Sequence, residues 1–342
     1  MNVLITGHDN PISIANSYVR AFRELGAKVK LFCLKSAYDQ AFLGSQTRIA
    51  KRLLGGMIAG AFNRKVRSDL SNLSPDLILV IKGQHLSSKT IDTWKDRFDA
   101  PIVNFYPDDP FSDVRSNRLT YGPDVLSSYT ACFTFAKHLI PRYQEAGAQN
   151  VFYLPFARDP HLHKPPNDSP HQTPYDVIFV GNLDETRVKW LEPLAESEYC
   201  LAICGERTKE AVPYRSALRG AEFMPAAHGG ELAQALHRGA VSINIMRRQN
   251  EGSHNMRSFE SPACGAFTLS QRTPELVDLF AEDEEIACFS SPEELREKVG
   301  YWLAHPAERQ QVARNGFQRV KDDTYQRRAT TILDALNLKA IA

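Results

Sequence analysis

Short apolar runs alternate along the chain with longer stretches of helical periodicity. Residues 3–6 read as a strand, Ile14, Tyr18, Phe22 and Leu25 recur at helical spacing, and residues 29–34 read as a strand again. Strand, helix and strand in that order predict a parallel sheet with crossover helices. The first helix carries its own punctuation, with Asn10 suited to the N-cap, Pro11 to the first helical position and Gly26 to the stop. Short β-rich runs at 77–81, 102–105, 132–135 and 151–154, each bounded by Pro, Gly or Asp, complete one α/β domain.

Residues 158–174 are rich in proline, histidine and polar side chains and read as a linker. Beyond them the alternation restarts, with strands predicted at 177–180, 201–204, 241–245, 266–269 and 286–289, and mostly helix from Pro292 onward. The expected division is 1–160, 161–325 and a C-terminal helix, 326–342, available to pack back on the first domain. A length of 342 residues accommodates two such domains. Ligands of open parallel sheets bind beyond the carboxyl ends of the strands. The loops to inspect are therefore 8–11, 82–86, 106–110, 181–187, 205–208 and 247–255.

Composition narrows the class little. With 43% hydrophobic and 24% charged residues and a net charge of +1, no nucleic-acid partner is required. The start lacks the marks of a secretory signal, and no apolar stretch approaches the roughly 20 residues of a bilayer span. A cytoplasmic location is expected. Six cysteines without regular spacing fit a reducing compartment, with Cys200 and Cys204 expected as buried thiols rather than a metal pair. His161, His163 and His171 lack flanking Cys or acidic ligands and are expected in solvent. Residues 48–67 mix apolar and basic positions, which suits a sheet-packed helix with basic ends and leaves peripheral membrane contact open.

The most informative segment is 253–265. On a helix, Met256, Phe259 and Ala263 face one way, while Arg257, Glu260 and Ser261 fall together at i, i+3 and i+4. An arginine can hold a pyrophosphate and a glutamate can accept both ribose hydroxyls, so the pattern outlines a nucleotide-diphosphate site. A plain Arg257–Glu260 ion pair beside a core helix explains the same spacing. Gly181, Asn182 and Arg187 follow one predicted strand and Gly205 the next, where glycine lets backbone approach a ligand. Asp108 and Asp109, after the strand at 102–105, suit a general base or sugar hydroxyls, or the cap of a turn.

The run from Asn255 through Gly265 into 266–269 resembles the C-terminal domain of the CgeB-like (spore maturation protein) glycosyltransferases, in the glycosyl-transferase group-1 superfamily. Matches continue through 273–276, 285–286, 290–295, 301–303 and 324–328, and residues 177–182 with Arg187, and 106–110, resemble other elements of the family. The resemblance implies a GT-B fold, two Rossmann-like domains facing each other across a cleft. It implies a nucleotide-diphosphate-sugar donor bound by the C-terminal domain, no separate cofactor and no metal. Glu260 matches the ribose-holding glutamate, and Asn255 and Arg257 match the Asn-x-Arg before it, near the diphosphate. The first glutamate of the Glu-x7-Glu pair of retaining relatives would fall at Gly252, one residue past Glu251, which leaves the anomeric outcome open.

The reading is a hexosyltransferase-like enzyme acting on a saccharide, protein or small-molecule hydroxyl. The alternatives are a nucleotide-sugar epimerase of the same fold and a non-catalytic nucleotide-sugar-binding or assembly protein.

Overall fold

The computed structural model describes residues 1–41, 55–114, 116–166, 173–205 and 212–338. The chain forms two compact units, Met1–Pro155 with Tyr325–Ala342, and Phe156–Thr324.

In the first unit, β1 (Asn2–Gly7), β2 (Lys28–Cys33), β3 (Leu77–Ile81), β4 (Ile102–Tyr106), β5 (Ala131–Thr134) and β6 (Val151–Tyr153) make a parallel sheet ordered β2-β1-β3-β4-β5-β6. Helices α1 (Ile14–Glu24), α2 (Leu34–Ala41), α3 (Gly55–Asp69), α4 (Ser88–Arg97) and α5 (Ile140–Glu145) supply the described crossovers. Every residue of β3 and β4 is buried, as expected of central strands covered on both faces.

The start of α1 departs from the sequence reading. Its N-cap is Ser13, whose extended backbone lets Oγ accept the Asn16 N–H at 3.2 Å. Asn10 instead accepts the Ile12 N–H and closes a turn ahead of the helix. Gly26 ends the helix at a φ of +84°, a left-handed conformation that suits glycine. Helix α3 buries Ile58, Ala59, Phe62 and Val66 and packs beside α2 and α4. The earlier part of that basic stretch, 48–54, lies outside the described residues.

In the second unit, β7 (Tyr175–Val180), β8 (Leu201–Cys204), β9 (Glu222–Met224), β10 (Gly239–Asn244), β11 (Thr268–Gln271) and β12 (Ala287–Phe289) form a second parallel sheet. Its order is β12-β11-β10-β7-β8-β9, so the direction of winding reverses between β7 and β10. The described helices are α6 (Glu185–Ala195), α7 (Gly230–Leu236), α8 (Arg257–Ala263), α9 (Pro274–Leu279), α10 (Pro292–Ala304) and α11 (Pro306–Arg319). Val177 and Phe179 enter one apolar cluster and Ile178 and Val180 another, so alternate side chains of β7 feed cores on both faces. Last in the chain, α12 (Tyr325–Ala335) belongs to the first unit. There the Tyr325 ring meets Tyr18 of α1 edge-on at 5.1 Å, and Arg328 donates to the Pro155 carbonyl at 2.9 Å.

Two expectations about polar segments fail. Residues 158–166 are no loose linker, because Asp159 and His163 are 2% and 6% exposed inside the second unit. Of the two cysteines expected to be buried, Cys204 is and Cys200 is exposed, since β8 begins only at Leu201.

Candidate functional site

The reversal between β7 and β10 is where an open parallel sheet leaves a crevice for a ligand. Arg187, from the first turn of α6, bridges this reversal, tying the residue after β10 to the loop after β7. Its Nε and Nη2 donate to the Ile245 carbonyl at 3.1 and 2.9 Å, and Nη1 donates to the Asn182 carbonyl at 2.8 Å. Asp184 caps α6 by accepting the Arg187 N–H at 2.9 Å, which fixes the arginine at the helix start. The side chain also lies over the Phe179 ring, 5.5 Å from its centroid. Burial pulls the guanidinium down to about 10, with the positive charges of Arg247 and Arg257 adding and Asp184 opposing. Arg187 is thus a buried cation with two more cations nearby, not a surface arginine.

Two glycines stand close together here, one of them close to Arg187. Gly181 donates its N–H to the Cys204 carbonyl at 2.9 Å, and a Cβ at Gly181 would stand 3.2 Å from the Phe179 ring and 3.7 Å from Arg187. A Cβ at Gly205 would meet the Gly181 carbonyl at 3.4 Å. The residues after Gly205 in that loop, 206–208, lie outside the described residues.

Helix α8 places the carboxylate. Glu260 is 7% exposed, and its Oε2 accepts from Arg257 Nη1 at 2.8 Å. Its Oε1 faces His163 Nε2 at 3.6 Å. The ion pair anticipated from the spacing is therefore present, and it is largely withdrawn from water. Asn255 is held one step back: its Nδ2 donates to Asn244 Oδ1 at 2.8 Å, and its Oδ1 accepts the Ser258 N–H at 3.1 Å. Asn244 Nδ2 in turn donates to Ser270 at 3.1 Å. The amide of Asn255 therefore ties the start of α8 to the ends of β10 and β11. Behind it His254, fully buried, receives the Phe156 N–H on Nε2 at 3.2 Å and faces Glu275 through Nδ1 at 3.0 Å. With Nε2 accepting, the proton sits on Nδ1 and is donated to Glu275.

A cavity of about 530 Å³ opens at the carboxyl ends of β10 and β11, lined among others by Trp190, Arg247, Arg248, Glu251, Gly252 and Gln271. Gly252 has a φ of +79°. A glutamate there would take on the left-handed backbone that costs an L-residue about 1–2 kcal/mol, a physical reason for the acid to stand at Glu251 instead.

In the first unit, Asp108 accepts from Lys82 Nζ at 2.7 Å just beyond β3 and β4. Lys82 is held at a φ of +64°, strain of the kind concentrated at ligand sites. Asp109 Oδ1 caps the turn by accepting the Phe111 N–H at 2.8 Å, and Arg142 lies 3.7 Å from its other oxygen. His85, in the same loop, stacks on Tyr38 with ring centroids 4.2 Å apart, and burial helped by the Lys82 charge pushes it down to about 4. No group of three or more potential metal ligands and no helix long and apolar enough to cross a membrane occurs among the described residues.

The sequence reading missed two members of the second-unit site. Arg247 stands two residues past the predicted strand 241–245 and opens the loop 247–255 marked for inspection, but was not singled out. His163 was expected in solvent with His161 and His171. His161 is exposed and His171 lies outside the described residues, but His163 is buried because its ring accepts the Asp159 N–H at 3.1 Å. The Asp159–His163 turn was the available signal.

Two six-stranded parallel sheets flanked by helices, the second reversing its winding between β7 and β10, make the architecture of the GT-B fold. A glycosyl transferase-like family model matches residues 187–334. Spore protein CgeB of Bacillus subtilis (strain 168) is 24% identical over 278 residues, 77% of this chain and 83% of that protein. The fold matches a sucrose-phosphate synthase from Thermosynechococcus elongatus, with a TM-score of 0.72, 15% identity and 98% of both chains covered. Anabaena HepE in complex with UDP-glucose matches with a TM-score of 0.69, 12% identity and coverage of 98% of this chain and 99% of that one. The chain is thus similar to CgeB over most of its length and to the glycosyl transferase-like family over residues 187–334.

Proposed function

We propose that the second unit binds a nucleoside-diphosphate sugar and that the protein transfers the sugar to an acceptor hydroxyl. The observation that carries this reading is the buried Glu260 carboxylate, paired with Arg257 beside the Arg187 crevice. A carboxylate with lone pairs left over after its arginine bond can accept from both hydroxyls of a ribose. Arg187, Arg247 and Arg257 supply positive charge for the diphosphate, and Gly181, Asn182 and Gly205 keep the backbone low enough for it to approach. Asn255 supports the arrangement by fixing the start of α8. The UDP and UDP-glucose complexes of HepE, a protein of the same fold, support a sugar-nucleotide ligand.

In the transfer, the bond between the anomeric carbon and the diphosphate oxygen breaks and the oxygen keeps the electron pair. The acceptor oxygen bonds the same carbon and releases its proton. Negative charge grows on the diphosphate as the sugar becomes oxocarbenium-like, so arginines already in place lower the barrier without reorganisation. We assign the acceptor side to the first unit, with Asp108 and Asp109 as hydrogen-bond partners of the hydroxyl and candidate proton acceptors.

The test is release of nucleoside diphosphate from a panel of UDP-, GDP-, ADP- and dTDP-sugars, with and without saccharide acceptors, in the presence of EDTA. Release by the wild type, unaffected by EDTA and lost in Arg257→Met, supports arginine-assisted transfer. Activity abolished by EDTA and restored by Mg²⁺ or Mn²⁺ would put that charge on a metal. An epimeric product formed without any acceptor would move the protein to the epimerases, and binding without turnover to the non-catalytic reading.

A further inference from the structure

The stretch around His163 brings an imidazole onto the proposed donor carboxylate. Asp159 and His163 form a closed turn: the His163 N–H donates to the Asp159 carbonyl at 2.7 Å, and the Asp159 N–H donates to His163 Nδ1 at 3.1 Å. Because Nδ1 accepts, the neutral ring carries its proton on Nε2. That nitrogen faces Glu260 Oε1 at 3.6 Å, while Arg257 holds Oε2 at 2.8 Å. Both residues are almost wholly buried.

We propose that His163 is a positioning residue for Glu260, presenting an N–H to one carboxylate oxygen while Arg257 holds the other, so that the acid meets the donor ribose already oriented. The inference rests on the reading of Glu260 as the ribose acceptor. The 3.6 Å separation is an electrostatic contact that a small shift of either side chain closes to a hydrogen bond. The groups that bear on the ring are Glu260 and Arg257 from α8 and Asp159 and Arg158 from its own segment. Burial pushes the imidazole below its ordinary range against the pull of Glu260. The ring is therefore neutral near pH 7 and orients the carboxylate without cancelling the charge that a ribose diol needs.

The experiment measures binding of UDP and 2′-deoxy-UDP, with the ADP and GDP pairs in parallel, to the full chain. The variants are His163→Phe, His163→Leu, His163→Gln, Glu260→Gln and the double variant His163→Phe/Glu260→Gln. Removing the N–H should weaken the ribonucleotide about tenfold and its 2′-deoxy counterpart by about threefold or less, narrowing the preference between them. His163→Gln, whose amide nitrogen can stand where Nε2 does, should stay within about threefold of wild type. In the Glu260→Gln background His163→Phe should add nothing. If Glu260→Gln loses affinity while folded His163→Phe and His163→Leu do not, the positioning role is wrong and the ribose reading stands. Equal loss of both nucleotide forms in His163→Phe would mean a merely structural histidine. Wild-type affinity in Glu260→Gln would remove the ribose reading and the positioning role together.

Discussion

At the scale of single residues, the second-unit site is built from charges that were given partners before being buried. Arg187 illustrates the cost of removing one. Its guanidinium satisfies the Ile245 and Asn182 carbonyls, and a buried carbonyl left unpaired costs about 1–3 kcal/mol. Arg187→Met should therefore lower unfolding free energy by about 2–4 kcal/mol in a urea titration, while a change under about 0.5 kcal/mol would mean that water replaces the arginine freely. His85 gives a pH signature in the first unit. Its folded value of about 4 lies below the ordinary 6.5, so the unfolded chain takes up a proton as pH falls while the native ring does not. The stability present above pH 6.5 is therefore lost progressively toward pH 4. His163 acts in the same direction. In His85→Phe, which keeps a ring against Tyr38, the slope across that window should flatten by up to ~1.4 kcal/mol per pH unit. An unchanged slope in chemical denaturation series would show that His85 titrates normally.

At the scale of elements, the hydrophobic pattern located the central strands and the edge strands β2, β6 and β12, and missed one edge, β9. Runs such as 77–81 and 201–204 are continuous and apolar because both faces of a central parallel strand are covered, and they coincide with β3 and β8. β9, three residues at the sheet edge with Glu222 exposed, carries no such run and went unread. The start of α1 was misplaced because two capping residues, Asn10 and Ser13, compete within one turn, and backbone geometry decides between them. Glu260 and Arg257 were legible because helical spacing alone puts them side by side. His163 was not, because its burial depends on a turn and on α8, far away in sequence. Tight contacts between elements are likewise invisible in sequence. A Cβ at Gly220 would run into the Ala195 carbonyl at the end of α6. Both partners there are backbone, so Gly220→Ala should cost about 1–3 kcal/mol, read as a lower melting temperature. A neutral outcome would show that the loop before β9 can shift.

At the scale of the whole molecule, the alternation of strands and helices was enough to give two α/β units, because a parallel sheet imposes that order on any sequence that forms it. The fold persists at 15% identity to the sucrose-phosphate synthase, so what distinguishes this chain lies in the loops beyond the strands rather than in the sheets. Gly252, in the loop after β10, is one position whose left-handed backbone suits glycine.

The central claim is that Glu260 holds the nucleoside of a donor. It is tested most directly by thermal shift of the purified protein against UDP, GDP, ADP, dTDP and CMP, repeated on a folded Glu260→Ala variant. A ligand that binds only the native state raises the melting temperature, by about 2.7 kcal/mol of added stability at a hundredfold excess over Kd. The account predicts stabilisation of the wild type by one nucleoside diphosphate and its loss in Glu260→Ala. No stabilisation by any of them at millimolar concentration, or equal stabilisation of both proteins, would contradict it.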